Sequence, residues 1–184
     1  MTAASIYRSA EGARAIRTFY DEVLARWPVP YEALTLPTRH GDTFAVASGD
    51  PNAPAVLLLH GSSSNSAVWA GDAAAYSAHH RVYAVDMLGE PGRSAPTRPA
   101  WSSPAHSEWL HDVFATLGLD RAALVGISLG GWAALQFATA EPARVTHLAL
   151  LTPGGVAPAK RSFVPLALFC AMTGKRGEAR LMRL

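Results

Sequence analysis

Ser128 lies at the centre of the pentapeptide Gly126-Ile127-Ser128-Leu129-Gly130, a G-x-S-x-G motif. An apolar run, 122–125, precedes the motif, and an alanine-rich stretch that favours a helix follows it. A strand, a sharp turn and a helix in this order leave a serine hydroxyl exposed at the top of the turn, so the pattern predicts that Ser128 is a nucleophile. Gly126 and Gly130 agree with this prediction, because a side chain at either position would clash where the helix passes close to the strand.

The elements around this turn are predicted from four continuous apolar runs, each typical of a strand that is buried on both faces of a sheet. These runs are residues 55–59, 82–85, 122–125 and 148–151. Helical stretches are predicted between them, at about 67–78, 104–117 and 129–140. Buried strands that alternate with helices predict an α/β domain with a mostly parallel sheet, in which the functional loops lie at the carboxyl ends of the strands.

A helix and a hairpin are predicted before these strands. Apolar residues between Ile16 and Trp27 follow a helical spacing, and Pro28 ends the pattern. We expect this helix to cover the sheet edge or the rim of the functional site. Segments 31–36 and 43–48 alternate apolar and polar residues on either side of a turn, which predicts an antiparallel hairpin.

The composition is that of one globular domain. The chain has 184 residues, of which 49% are hydrophobic, and its net charge of +2 includes no marked basic cluster, so we expect no nucleic-acid partner. Cys170 is the only cysteine, which suits a reducing cytoplasm, the predicted location. Charged residues throughout 5–27 argue against a signal peptide, and the apolar stretch 163–172 is too short to span a bilayer. We therefore expect no membrane partner.

Three motifs in chain order carry a resemblance to a known family: 57–62, which ends in His60-Gly61-Ser62; 85–94, which begins with Val85-Asp86; and the G-x-S-x-G motif. With these motifs the chain resembles the α/β-hydrolase superfamily and, among its families, bacterial carboxylesterases. The resemblance covers residues from about 18 to 184. It implies a mostly parallel α/β-hydrolase sheet that is truncated after its sixth strand and the start of the cap, with 1–155 as the N-terminal part of the core and 156–184 as the beginning of the cap, or lid.

The resemblance also implies the roles of the site residues. Ser128 would attack a carboxylic ester, and the backbone N–H groups of Ser62 and Leu129 would form the oxyanion hole. The residues that shape the supporting turns would be His60, Gly61, Gly126 and Gly130. The resemblance disfavours His60 as a base, since this histidine belongs to the turn after the strand. It gives Asp86 mainly the task of organising a loop through hydrogen bonds from its side chain to the backbone, although an acid at the end of a parallel strand could also touch the site.

The acid and the histidine of a catalytic triad are missing from the pattern. The family places them after the serine, where this chain offers only Glu141, His147 and Glu178. His147 lies near the start of the predicted sixth strand, roughly 13 Å from the edge where Ser128 is expected. We therefore interpret the sequence as the N-terminal part of a longer hydrolase. The sixth strand is then expected to be an exposed edge through which chains associate; the oligomeric state itself is not predicted.

The predicted function is that of a serine hydrolase acting on small-molecule carboxylic esters, weak or inactive as this chain stands. One alternative is an inactive fragment or interaction protein that keeps the fold. Another is a cofactor-free haloperoxidase or a carbon–carbon bond hydrolase, because both share the same serine turn. No cofactor is predicted, and the histidines do not follow a metal-ligand spacing.

Overall fold

The computed structural model describes residues 6–156. The helices are α1 (Ala10–Leu24), α2 (Ala73–Ser77), α3 (Ala105–Thr116) and α4 (Leu129–Ala140), with 3-10 helices at Ser66–Trp69 and Pro142–Arg144. The strands are β1 (Tyr31–Leu36), β2 (Thr43–Ser48), β3 (Ala55–Leu59), β4 (Arg81–Val85), β5 (Ala122–Ile127) and β6 (Val145–Leu151). The chain divides into two compact units, Met1–Gly154 and Gly155–Leu184, and all of these elements belong to the first. The predicted cap, 156–184, lies outside the described residues except for Val156.

The six strands form one mostly parallel sheet, which confirms the predicted fold class. The strand order is β1-β2-β4-β3-β5-β6. β3 pairs in parallel with β4 and with β5, and β5 pairs in parallel with β6. The predicted hairpin of β1 and β2 is confirmed, and β2 also pairs antiparallel with β4. The carboxyl ends of β3, β4, β5 and β6 therefore meet at one edge of the sheet.

The core lies on both faces of the sheet, because alternate side chains of each strand point to opposite sides. One cluster packs against α3 and α4 and contains, among others, Leu57, Leu59, Trp109, Phe114 and Phe137. The other packs against α1 and the first 3-10 helix and contains, among others, Tyr20, Phe44, Val56, Leu58 and Trp69. The alternating pattern predicts that only one face of β2 is buried, and this is wrong. All six residues of β2 are buried, since the strand lies inside the sheet between β1 and β4.

Two predicted helices differ from the structure. The stretch 67–78 is interrupted: the 3-10 helix ends at Trp69 and α2 begins only at Ala73, with Gly71 in the turn between them. α1 ends at Leu24, before Trp27, and its predicted apolar face is only partly covered, because the side chain of Phe19 is 65% exposed. Tyr20 and Leu24 are the residues of α1 that are buried.

β6 is the edge strand of the sheet within residues 6–156, as predicted. It was also expected to be buried on both faces, and this is wrong. Most of its residues are exposed, including Leu148 and Leu151, because β6 pairs only with β5 in the described part of the chain.

Candidate active site

Ser128 occupies a strained turn between β5 and α4. Its φ is +49° and its ψ is −106°, a strained conformation that agrees with the sharp turn the motif predicts. The turn is held by the backbone: the Ser128 N–H donates to the Leu151 carbonyl at 2.9 Å, and the Ser128 carbonyl accepts from the Gly154 N–H at 3.0 Å. Since α4 begins at Leu129, the first N–H groups of the helix and the positive end of its dipole lie beside the serine.

The glycines of the motif are required by close backbone contacts. A Cβ on Gly126 would lie 2.5 Å from the Gly130 carbonyl oxygen. A Cβ on Gly130 would lie 2.3 Å from the carbonyl oxygen of Leu59, at the end of β3. Only glycine allows the start of α4 to approach both strands this closely, which is the reason for the spacing of the motif.

The His60-Gly61 turn after β3 packs against Ser128. A Cβ on Gly61 would lie 3.6 Å from the Ser128 Cβ. The Met87 N–H donates to Nε2 of His60 at 2.9 Å, so the proton of the neutral ring is on Nδ1, which donates to the Gly61 carbonyl at 2.8 Å. Burial lowers the pKa of His60 and favours this neutral form. With both nitrogens engaged by the backbone, His60 makes no hydrogen bond to the Ser128 hydroxyl.

Asp86 organises the loop after β4, as the sequence predicts. Its carboxylate is fully buried and accepts hydrogen bonds from the N–H groups of Ser66 and Arg93, both at 2.8 Å. It also accepts from the hydroxyl of Tyr20 on α1 at 2.9 Å. Burial and this carboxylate raise the pKa of Tyr20. The hydrogen bond from Tyr20 to Asp86 was not predictable, because no local pattern links two residues this far apart in the chain.

The structure does not bring an acid and a histidine to Ser128 within residues 6–156. His147 is exposed on β6, paired in register with Ala123. Glu141 follows the carboxyl end of α4, where it contacts Nδ1 of His111 at 2.8 Å. Glu178 lies outside the described residues. In the described part of the chain, the hydroxyl of Ser128 has no hydrogen-bond partner of any kind.

A cavity of about 430 Å³ adjoins the serine turn. Its lining comprises Ile6, Ser62, Ser63, Leu88, Glu90, Pro91, Arg98, Pro99, Trp101, His106 and Leu129. Both residues predicted to supply oxyanion N–H groups, Ser62 and Leu129, therefore border the same space. The Ser62 N–H donates no hydrogen bond among residues 6–156, which leaves it available to a ligand.

An aromatic wall closes one side of this cavity. The ring of His106 stacks on Trp101, with centroids 5.5 Å apart and an angle of 9° between the planes. Trp132 meets both rings edge-on. Trp101 is 61% exposed, whereas His106 is buried, and this burial lowers its pKa. No spacing signal in the sequence pointed to His106.

No group of three or more potential metal ligands occurs among residues 6–156. In the same range, no helix has the length and apolar character needed to cross a bilayer.

The sheet order and the strand, serine turn and helix at its carboxyl edge define the class: an α/β domain of the hydrolase type. A family profile described as the alpha/beta hydrolase fold matches residues 54–166, more than half of the chain, and the protein belongs to this family.

Several similar proteins are bacterial carboxylesterases. The chain is 40% identical over 160 residues to carboxylesterase YbfK of Bacillus subtilis (strain 168), covering 86% of this chain and 53% of the relative. The crystal structure of carboxylesterase CesB (YbfK) superimposes with a TM-score of 0.79 at 35% identity, covering 94% of this chain and 60% of that one. The naproxen esterase (carboxylesterase NP) of Bacillus subtilis gives a TM-score of 0.80 at 32% identity, with 96% and 61% covered. The chain spans about half the length of the curated relatives it matches.

Proposed function

We propose that this protein is a serine hydrolase of small-molecule carboxylic esters, with Ser128 as its nucleophile. One observation carries the proposal: the positive φ of Ser128 presents the serine on a sharp turn against the His60-Gly61 loop. Backbone strain of this kind is kept where function requires it. The similarity to carboxylesterases supports the same reaction class.

The reaction follows from the groups around the turn. The Ser128 Oγ attacks the acyl carbon, and the electron pair of the carbonyl bond moves to the carbonyl oxygen. The N–H groups of Ser62 and Leu129 border the cavity and are proposed to stabilise this oxyanion, assisted by the dipole of α4. The hydroxyl proton must pass to a base, and no described residue is in place to accept it. We propose that the acid and histidine of the triad are not among these 184 residues.

The cavity favours an ester with a flat, apolar group. Its aromatic wall of Trp101 and His106 is uncharged at neutral pH, since burial disfavours the protonated ring of His106. A protein of similar fold is named a naproxen esterase. We propose that residues 156–184 begin a cap that takes part in choosing the substrate, and that the protein acts in the cytoplasm.

The test is esterase activity of the purified 184-residue chain toward p-nitrophenyl acetate, with Ser128→Ala as the control. Removal of a triad member typically lowers kcat by roughly 10⁴- to 10⁶-fold, and the members act as a unit, so without the base we expect only very slow turnover that Ser128→Ala lowers little further. Turnover of several per second that Ser128→Ala abolishes would show that a base exists in this chain. Fast turnover that Ser128→Ala retains would contradict the role of Ser128, whereas equal and negligible rates for both chains would favour an inactive fragment that keeps the fold.

A further inference from the structure

Glu90 lies in the loop that follows β4. The segment reads Gly89-Glu90-Pro91-Gly92, so a carboxylate stands among the glycines. The Glu90 side chain crosses to the neighbouring loop, and its Oε2 accepts a short hydrogen bond from the backbone N–H of Ser63. Glu90 also lines the same cavity as Ser62 and Leu129.

The two loops at the ends of β3 and β4 are joined at three other points. The Met87 N–H donates to His60 at 2.9 Å, at the start of the β3 loop. At its far end, the Asn65 side chain donates to the Pro91 carbonyl at 2.8 Å, and the Ser66 N–H donates to Asp86. Between these ends, Glu90 makes the one hydrogen bond that links the centre of the β3 loop, 62–64, to the β4 loop within residues 6–156.

The centre of the β3 loop is also its strained part. Ser63 has a φ of +56°, a conformation that residues other than glycine rarely adopt and that surrounding contacts must hold. Ser63 directly follows Ser62, so the bond to Glu90 fixes the peptide next to the proposed oxyanion donor.

We infer that Glu90 is a positioning residue for the oxyanion hole: its carboxylate holds Ser63 at positive φ and thereby fixes the orientation of the Ser62 N–H. This role rests on the proposed function of Ser62. Glu90 acts through a hydrogen bond and not through its charge, because a negative charge beside the cavity opposes the oxyanion that develops there. The uncharged isostere Glu90→Gln therefore retains the function, whereas Glu90→Ala loses it.

The experiment compares both variants in the 184-residue chain by amide hydrogen exchange at Ser63, measured by NMR. Glu90→Ala should raise the exchange rate of the Ser63 amide by several-fold, and Glu90→Gln should return it close to the wild-type rate. Glu108→Ala is the matched control, since it removes a partly exposed carboxylate on α3 that contacts His40 in the turn between β1 and β2. It should leave Ser63 exchange unchanged.

A second readout separates positioning from general stability. Glu90→Ala should lower the residual turnover of p-nitrophenyl acetate, to which the oxyanion hole contributes, by about tenfold while changing Tm no more than Glu108→Ala does, and Glu90→Gln should restore the rate. Unchanged Ser63 exchange in Glu90→Ala, or exchange in Glu90→Gln as fast as in Glu90→Ala, would overturn the inference. Fast turnover that Ser128→Ala retains would contradict the proposed function instead, and Ser63 exchange would still decide whether Glu90 holds the loop.

Discussion

At the scale of single residues, the glycines of the serine turn have almost no free space around them, whereas Gly71 has ample space. Gly130→Ala would place a Cβ 2.3 Å from a backbone oxygen of β3, and a backbone atom cannot move aside as a side chain can. We expect this change to lower the free energy of unfolding by about 3 kcal/mol. Gly71→Ala is the control, because nothing lies within 4 Å of the added atom and its φ is not positive. It should change stability by less than about 0.5 kcal/mol. Urea denaturation of both variants measures the difference, and similar losses would refute the steric explanation.

His106 makes stability depend on pH. Burial lowers its pKa below the ordinary value of 6.5, so the unfolded chain binds the proton more readily than the folded one. The stability that the neutral, buried ring of His106 contributes is therefore fully present above pH 6.5. It is lost as the pH falls from there toward the lower pKa of the folded state. We expect His106→Phe, which keeps a ring beside Trp101, to show a shallower decline of the unfolding free energy between pH 7 and 5 than the wild type. Urea denaturation at several pH values in this range tests the expectation. Unfolding free energies that decline in parallel for the two proteins would contradict it.

At the scale of elements, α3 is fixed to the sheet by a buried hydrogen bond. The indole N–H of Trp109 donates to the Thr43 hydroxyl of β2 at 2.7 Å, and both side chains are almost fully buried. Thr43→Val keeps the shape but leaves the N–H without a partner, which should cost about 1–3 kcal/mol of unfolding free energy. Thr139→Val removes a hydroxyl from the exposed side of α4 and should cost less than about 0.5 kcal/mol. Thermal unfolding of the pair measures the contrast; equal costs would show that the buried bond contributes little.

Elements whose ends are marked by the local sequence could be predicted with their bounds. The bounds predicted for β1, β2, β3 and α4 agree with the structure, because turn residues or the serine motif delimit each of them. The helix predicted at 67–78 was wrong because its alanines favour a helix in any context, whereas burial of Trp69 and a turn at Gly71 end the first part early. Burial in β2 and β6 could not be predicted either, since it depends on which strands become neighbours.

The candidate site was predictable only in part, for the same reason. The strained turn of Ser128 and the loop-organising role of Asp86 follow from short motifs, and the structure confirms both of these local geometries. The contacts from Tyr20 to Asp86 and from Glu90 to Ser63 join segments that are distant in sequence. No periodicity or spacing reports such contacts. The catalytic role of Ser128 and the oxyanion role of Ser62 and Leu129 remain predictions.

At the scale of the whole molecule, we expect copies of this chain to associate through the sheet edge at β6. β6 presents exposed apolar side chains, with Leu148 at 37% exposure, beside backbone groups that pair on one side only within residues 6–156. Leu148→Lys places a charge on this edge and should reduce concentration-dependent association, since charged edge strands resist pairing with another chain. Val68→Lys adds the same charge at a site that is 45% exposed on the first 3-10 helix and should have little effect. Sedimentation velocity over a range of concentrations compares the three chains, and equal association would exclude β6 as the contact.

The order of the strands has a consequence for the time at which the serine turn forms. Leu57 of β3 pairs with Tyr83 on one side and with Leu124 on the other, so β5 reaches the sheet only after a much longer loop has closed than the one that joins β3 to β4. Pairing between distant segments is slow because the entropy of loop closure opposes it before any contact is gained. The strained conformation of Ser128 depends on β5, on α4 and on Leu151 of β6. We therefore expect the turn of Ser128 to be among the last features to form as the newly made chain folds.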